Sequence, residues 1–196
     1  MNIMSMLYMF RHGQASFGQD NYDNLSTLGF EQARILGEHL TGIGLKIDAA
    51  YSGTMHRQEE TARQVLKCYQ DKGYCVPELV QTNTLNEYDF STIISSQIPE
   101  MMKQDPMIKH HLENMITDKE SFRKVFEGAM LRWVSGSYDM PGILTWKDFI
   151  DQAKQAVIDI MKRHSSGKTV AVFTSGGPIC AAIKWVLGLS DDHAIR

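Results

Sequence analysis

Leu7-Tyr8-Met9-Phe10-Arg11-His12-Gly13 is a short, unbroken apolar run that stops at two polar side chains and a glycine. Such a run reads as a strand covered on both faces, because a half-exposed strand would alternate. The same pattern recurs at Thr169 to Thr174, the clearest strand in the chain, which leads through Ser175-Gly176-Gly177 into a helix from Pro178 to Leu187. Between these two, Ile47 to Ser52 reads as another strand, and Leu79 to Leu85 alternates as a fourth. Ser26 is placed to cap a helix carrying Ala33, Leu36, Leu40 and Ile43, with Gly44 as its stop. Thr54 opens a second helix whose apolar face is Ala62, Val65, Leu66 and Tyr69. Thr145 and Asp148 resemble a capping box ahead of a helix with Phe149, Ala153, Ala156, Val157 and Ile160 inward. Strands alternating with helices predict an α/β fold: a three-layer sandwich around a mostly parallel central sheet.

Residues 91–144 differ from this rhythm. They hold Pro99, Pro106 and Pro141, many methionines, and one amphipathic stripe of Phe122, Val125, Phe126, Ala129 and Trp133. Two organisations fit: a helical insertion or cap on a single domain spanning residues 1–196, or a plain helical part of the main fold.

Composition narrows the function. The 196 residues are 43% hydrophobic, enough for a real core, and their 20 basic against 23 acidic side chains give a net charge of −3. Mild acidity without a basic block argues against a nucleic-acid or membrane-surface binder. No run nears the roughly 20 apolar residues of a membrane span. Ile3 to Phe10 is apolar but lacks a positive segment before it, so no signal peptide is expected. Cys68, Cys75 and Cys180 form no CxxC pair, which fits a soluble protein of the reducing cytoplasm better than a disulfide or zinc module.

In parallel sheets, ligands gather beyond the carboxyl ends of the strands. Four polar clusters fall at such ends: Arg11-His12-Gly13, Ser52 to Arg57, Asn86-Glu87 and Thr174-Ser175-Gly176-Gly177. Arginine's planar fork of donors matches phosphate, and backbone N–H groups at a helix start add to an anion site. A histidine among them serves as nucleophile or as general base, and Glu87 supplies a proton carrier. No HxxxH or paired-carboxylate spacing accompanies His12, so neither metal nor other cofactor is expected. The adjacent His110 and His111 read as a solvated helix end. Together these residues point to phosphoryl chemistry on a small phosphorylated substrate.

These segments resemble the motifs of the histidine phosphatase superfamily, the phosphoglycerate-mutase-like family. Arg11-His12-Gly13 resembles its RHG signature, and Leu25 to Gly29 followed by Gln32-Ala33 its usual LTxxGxxQA helix start. Tyr51 to Arg57 with Thr61-Ala62 resembles its second arginine motif, Leu85-Asn86-Glu87 its acid segment, and Val172 to Gly177 its VSHGG turn. The resemblance spans about residues 7–188 in the correct order. It implies that His12 attacks phosphorus and becomes a transient phosphohistidine, that Arg11 and Arg57 hold the phosphoryl oxygens, and that Glu87 protonates the leaving group. Ser175 and Gly176 stand on the phosphate-binding turn.

Three departures qualify this. Where the family carries a second histidine, this chain has Ser175, a shorter and uncharged donor. Loss of one preorganised donor typically lowers turnover by roughly 10²–10³-fold, so the pocket is expected to bind phosphate while catalysis is slow or absent. After Glu87, Tyr88-Asp89-Phe90-Ser91 lacks the tyrosine–glycine–lysine segment of glycolytic mutases, which counts against mutase activity. The chain ends at Arg196, where relatives usually continue into another strand, so a missing edge strand and a shortened sequence both remain open. Specificity is expected to lie in residues 91–144; the natural substrate and oligomeric state have no motif.

Overall fold

The computed structural model describes residues 4–16, 21–164, 166–191 and 193, so only part of the polar loop read from Gln14 to Asn24 lies within it. Among the described residues, four strands, β1 (Met6–Arg11), β2 (Ala49–Ser52), β3 (Leu79–Gln81) and β4 (Thr169–Thr174), form one sheet in the order β1-β4-β2-β3. Every pairing is parallel. The helices are α1 (Thr27–Gly42), α2 (His56–Asp71), α3 (Phe90–Gln104), α4 (Met107–Asn114), α5 (Lys119–Ser135), α6 (Trp146–Arg163) and α7 (Gly176–Leu187). The α/β sandwich around a parallel sheet is thus the observed fold.

The chain divides into two compact units, residues 1–87 with 153–182 and residues 88–152 with 183–196. In the first, side chains alternate across the sheet as period-two strands require. Ala50, Ala171 and Phe173 pack with Leu40 of α1 and with Ala62, Val65, Leu66 and Tyr69 of α2. On the opposite face Ala49, Tyr51, Val170 and Val172 pack with Ala156 and Ile160 of α6. β4 is almost wholly buried at the sheet's centre; β1, whose unbroken apolar run predicted a covered strand, is instead only half-buried, because it stands at the edge of the described sheet.

Local chemistry fixes the element ends. The Ser26 hydroxyl accepts from the Gly29 amide at 3.0 Å, capping α1 as its sequence predicts. The helix closes at Gly42, and Gly44 takes a left-handed conformation just beyond, where a glycine carries no steric penalty. Ile43, read as part of the inward stripe, is instead 62% exposed at the cap. α2 begins at His56 rather than Thr54, with Met55 in extended conformation at its N-cap, and the Thr54 amide donates to the Asn86 side chain at 2.7 Å. β3 ends at Gln81, short of Leu85; the Thr82 hydroxyl accepts from the Thr84 amide and turns the chain into a single 3-10 turn, Asn83–Leu85. α7 starts at Gly176, two residues before Pro178. The Asp148 amide donates to Thr145 Oγ1 at 3.0 Å, and Phe149, Ala153, Ala156, Val157 and Ile160 are all buried.

The second unit is helical. Ile94 and Met101 of α3, Ile108 of α4, and Val125 and Ala129 of α5 form its apolar centre. Phe122, assigned to the same stripe from the sequence, is 46% exposed, because α5 buries the turn that follows it. Trp133 packs against Tyr88, Trp146 and Phe149, and its indole N–H donates to the Leu144 carbonyl at 2.6 Å. No helix among the described residues is long and apolar enough to cross a membrane.

Candidate active site

The carboxyl ends of β1, β4 and β2 bring the expected segments together within the first unit. The His12 amide donates to the Thr174 carbonyl at 2.9 Å, carrying the β1–β4 ladder one residue past the strand, and the Gly53 amide donates to Phe173 at 3.2 Å. The Thr174 hydroxyl donates to the Leu85 carbonyl at 2.5 Å, tying the acid segment to the end of β4.

Two glycines set the loop that carries His12. A Cβ on Gly13 would stand 2.3 Å from the Gly29 carbonyl oxygen, and one on Gly29 would stand 2.2 Å from that of Gln14. No side chain fits between these backbones, so the loop lies directly on the first turn of α1. Thr61 of α2 clamps it from another side: its hydroxyl accepts from the Gly13 amide at 3.0 Å and donates to the Arg57 carbonyl at 2.7 Å.

His12 Nδ1 lies 2.7 Å from the Gly13 carbonyl. A carbonyl oxygen only accepts, so the proton sits on Nδ1 and Nε2 carries the lone pair. Arg57 Nε donates to that Nε2 at 3.1 Å. Burial lowers the His12 pKa below the ordinary 6.5; the Gly13 bond opposes this, while the charges of Arg57 and Arg11 reinforce it. The imidazole is therefore held neutral with its lone pair toward a guanidinium.

Arg57 is almost completely buried. Its Nη1 pairs with Asp23 at 2.6 Å, and its guanidinium lies 5.4 Å from the Tyr22 ring centroid. The second Asp23 oxygen accepts from the His56 amide at 2.8 Å, at the start of α2. Asp23 and Tyr22 had no signal in the sequence, since they stand in an aperiodic polar loop. Among the described residues the Arg11 guanidinium forms no ion pair; it acts on His12 as a neighbouring charge.

Glu87 Oε2 accepts from the Gly177 amide at 3.0 Å, in the first turn of α7, where backbone N–H groups and the helix dipole favour negative charge. A Cβ on Gly176 would stand 3.9 Å from the same oxygen. Cys180, one turn further on, feels both ends of the site. Partial burial and the Glu87 carboxylate push its thiol pKa up, and Arg11 partly offsets them. Arg11 and Glu87 thus act on one thiol.

Ser175 is fully buried, and its hydroxyl accepts from Gln58 Nε2 at 2.7 Å. A cavity of about 530 Å³ is lined by Arg11, His12, Tyr22, Gln32 and Thr61 among others, but Arg57, Glu87 and Ser175 are not among its described lining residues. Among the described residues no group of three or more His, Cys, Asp or Glu side chains is arranged to hold a metal.

The parallel α/β sandwich thus brings the His12 imidazole and the Arg57 guanidinium together beyond the carboxyl ends of its strands. The chain belongs to the histidine phosphatase superfamily (branch 1), which matches residues 7–130 and 116–196. A 2,3-bisphosphoglycerate-dependent phosphoglycerate mutase of Parvibaculum lavamentivorans is 30% identical over 95 residues, covering 45% of this chain and 44% of that protein. The chain spans less than half the length of the first two curated relatives it matches. Among solved structures, Bacillus stearothermophilus YhfR superposes with a TM-score of 0.67 at 22% identity, over 97% of this chain and 83% of its own. A phosphoserine phosphatase of Entamoeba histolytica in complex with 3-phosphoglyceric acid does so at 0.61 and 19%, over 97% and 84%.

Proposed function

We propose that this protein is a phosphomonoester hydrolase that acts through a phosphohistidine on a small phosphorylated substrate, using its own side chains without a metal. The observation that carries the reading is the state of His12: Nδ1–H is tied to the Gly13 carbonyl, and the Nε2 lone pair lies beside Arg57. That is the protonation state a nucleophilic imidazole needs.

In the proposed reaction Arg57 Nε–H leaves His12 Nε2 for a phosphoryl oxygen, and Arg11 takes another. The Nε2 lone pair then forms a bond to phosphorus as the ester P–O bond breaks. Glu87, protonated, gives its proton to the departing oxygen. The carboxylate left behind keeps the Gly177 N–H and the start of α7 as partners. Water next attacks phosphorus, Glu87 takes its proton, and the P–N bond breaks to return the lone pair to Nε2. The guanidinium groups stabilise charge that is redistributed rather than created. The phosphatase and mutase relatives support phosphorylated small molecules as the substrate class.

One observation favours a second reading, a binder of phosphorylated ligands without turnover: Ser175 is enclosed and already engaged by Gln58. Phosphate release from a panel of esters, with chelator present, separates the two. Release by wild type and its loss in His12→Ala support the hydrolase. Phosphate-dependent thermal stabilisation without release supports the binder, and an acid-labile phosphoenzyme excludes it. Isomerised phosphoglycerate without phosphate release would instead indicate mutase-type transfer.

A further inference from the structure

Gln58 follows Arg57 in the first turn of α2 and is fully buried, an unusual place for a carboxamide. Its nitrogen donates to the Leu85 carbonyl at 3.2 Å and to the Ser175 hydroxyl at 2.7 Å. The orientation follows from chemistry, because the Leu85 carbonyl has no hydrogen to give and needs the N–H₂ end of the amide. Both amide hydrogens are then used. Ser175 Oγ is an acceptor in this pair, and its own hydrogen is left to be donated elsewhere.

The carboxamide is also tightly enclosed. A Cβ on Gly53 would come within 1.8 Å of Gln58 Oε1 and 2.7 Å of Cδ, so the amide rests on bare backbone. Gln58 Oε1 is buried without a hydrogen-bond partner, a cost usually tolerated only where another demand fixes the group. On the far side of the amide stands Ser175, also without solvent exposure. One residue before it, Thr174 holds the His12 amide through its carbonyl and the acid segment through its hydroxyl.

We infer that Gln58 and Ser175 form one unit. The Gln58 carboxamide fills the space that a larger side chain at position 175 would need, and it is the positioning residue that sets the direction of the Ser175 hydroxyl proton. The packing half of this inference stands without the hydrolase reading; only its kinetic half rests on it. Neither residue is then changed without cost unless the other changes too. An imidazole at position 175 must enter the volume the amide holds, and displacing Gln58 strips the Leu85 carbonyl and the Ser175 hydroxyl of a donor.

The test is a double-mutant cycle on the full chain, read as thermal midpoint and as kcat and KM for p-nitrophenyl phosphate. Ser175→His alone should lower the midpoint by on the order of 5–10 °C and bring no gain in rate. Gln58→Ala alone should also lower it. Gln58→Ala with Ser175→His should recover at least half of the summed loss and raise kcat above wild type. Gln58→Met, similar in shape but without the donor, should lower kcat about tenfold with KM within about twofold, a split that a purely structural role would not give. A fully stable Ser175→His protein, single shifts that simply add, or an unchanged kcat in Gln58→Met would each overturn the inference. Should wild type release no phosphate, the hydrolase reading falls, and the stability cycle alone decides whether the two residues are paired.

Discussion

Gly29→Ala is the most direct probe of how the fold places His12. A Cβ at this position would stand 2.2 Å from the Gln14 carbonyl oxygen, whereas ordinary contact begins at 3.4 Å. The backbones must therefore separate by about 1.2 Å. The opposing surface is the loop after His12, which a second close contact at Gly13 and the Thr61 hydroxyl hold in place. α1 itself should gain from the change, since alanine favours a helix interior by roughly 0.5–1 kcal/mol over glycine. Strain and propensity thus oppose each other in stability, while nothing offsets the shift at the site. A displacement near 1 Å at a reacting group typically costs about 10²-fold in rate. The expected result is a protein whose thermal midpoint is lowered by several degrees, the backbone clash of about 1–3 kcal/mol outweighing the propensity gain, with kcat lower by about two orders of magnitude. Circular dichroism melting and steady-state phosphate release measure the two quantities. A variant with wild-type kcat would refute the claim that this backbone contact positions the nucleophile.

Two further outcomes follow from the electrostatics of the site. The folded His12 should titrate below 6.5, so between its folded midpoint and 6.5 the unfolded chain binds more protons and stability falls as the pH is lowered; imidazole NMR should give the midpoint, and His12→Ala should flatten that part of the stability profile. Asp23→Asn removes the carboxylate partner of the nearly buried Arg57, and should cost about 1–3 kcal/mol in chemical denaturation. Inorganic phosphate should restore more stability to this variant than to wild type, because the guanidinium regains a counter-charge; equal phosphate shifts in the two proteins would count against that view.

Much of this architecture is legible in the chain because its signals are local. A serine three residues before a glycine caps α1, and unbroken apolar runs mark β1 and β4. What escaped depends on contacts between distant segments. Thr54 is held outside α2 in a pair of bonds with Asn86, 32 positions away, and β3 stops early because a threonine hydroxyl turns the chain. Phe122 and Ile43 obey helical spacing yet lie outside, since periodicity gives the direction of a face and not its width. Arg11 ends β1 and His12 follows it directly, as their motif suggests, whereas Arg57 sits in the first turn of α2 and Glu87 lies beyond a 3-10 turn, six residues past the end of β3. Asp23 and Gln58 were not legible: a carboxylate in an aperiodic loop and a glutamine on a helix usually face water.

The placement of β1 carries a consequence for how this protein is made. Its hydrogen-bonding partner is β4, with Met6 opposite Thr169, so among the described strands the earliest in the chain waits for the latest. Closing so wide a span is entropically costly and slow compared with helix or hairpin formation. While the ribosome is still working, the imidazole at position 12 lacks the Thr174 carbonyl that anchors its backbone. A nascent polypeptide should therefore acquire α1 to α6 well before the backbone at His12 gains its anchor on β4.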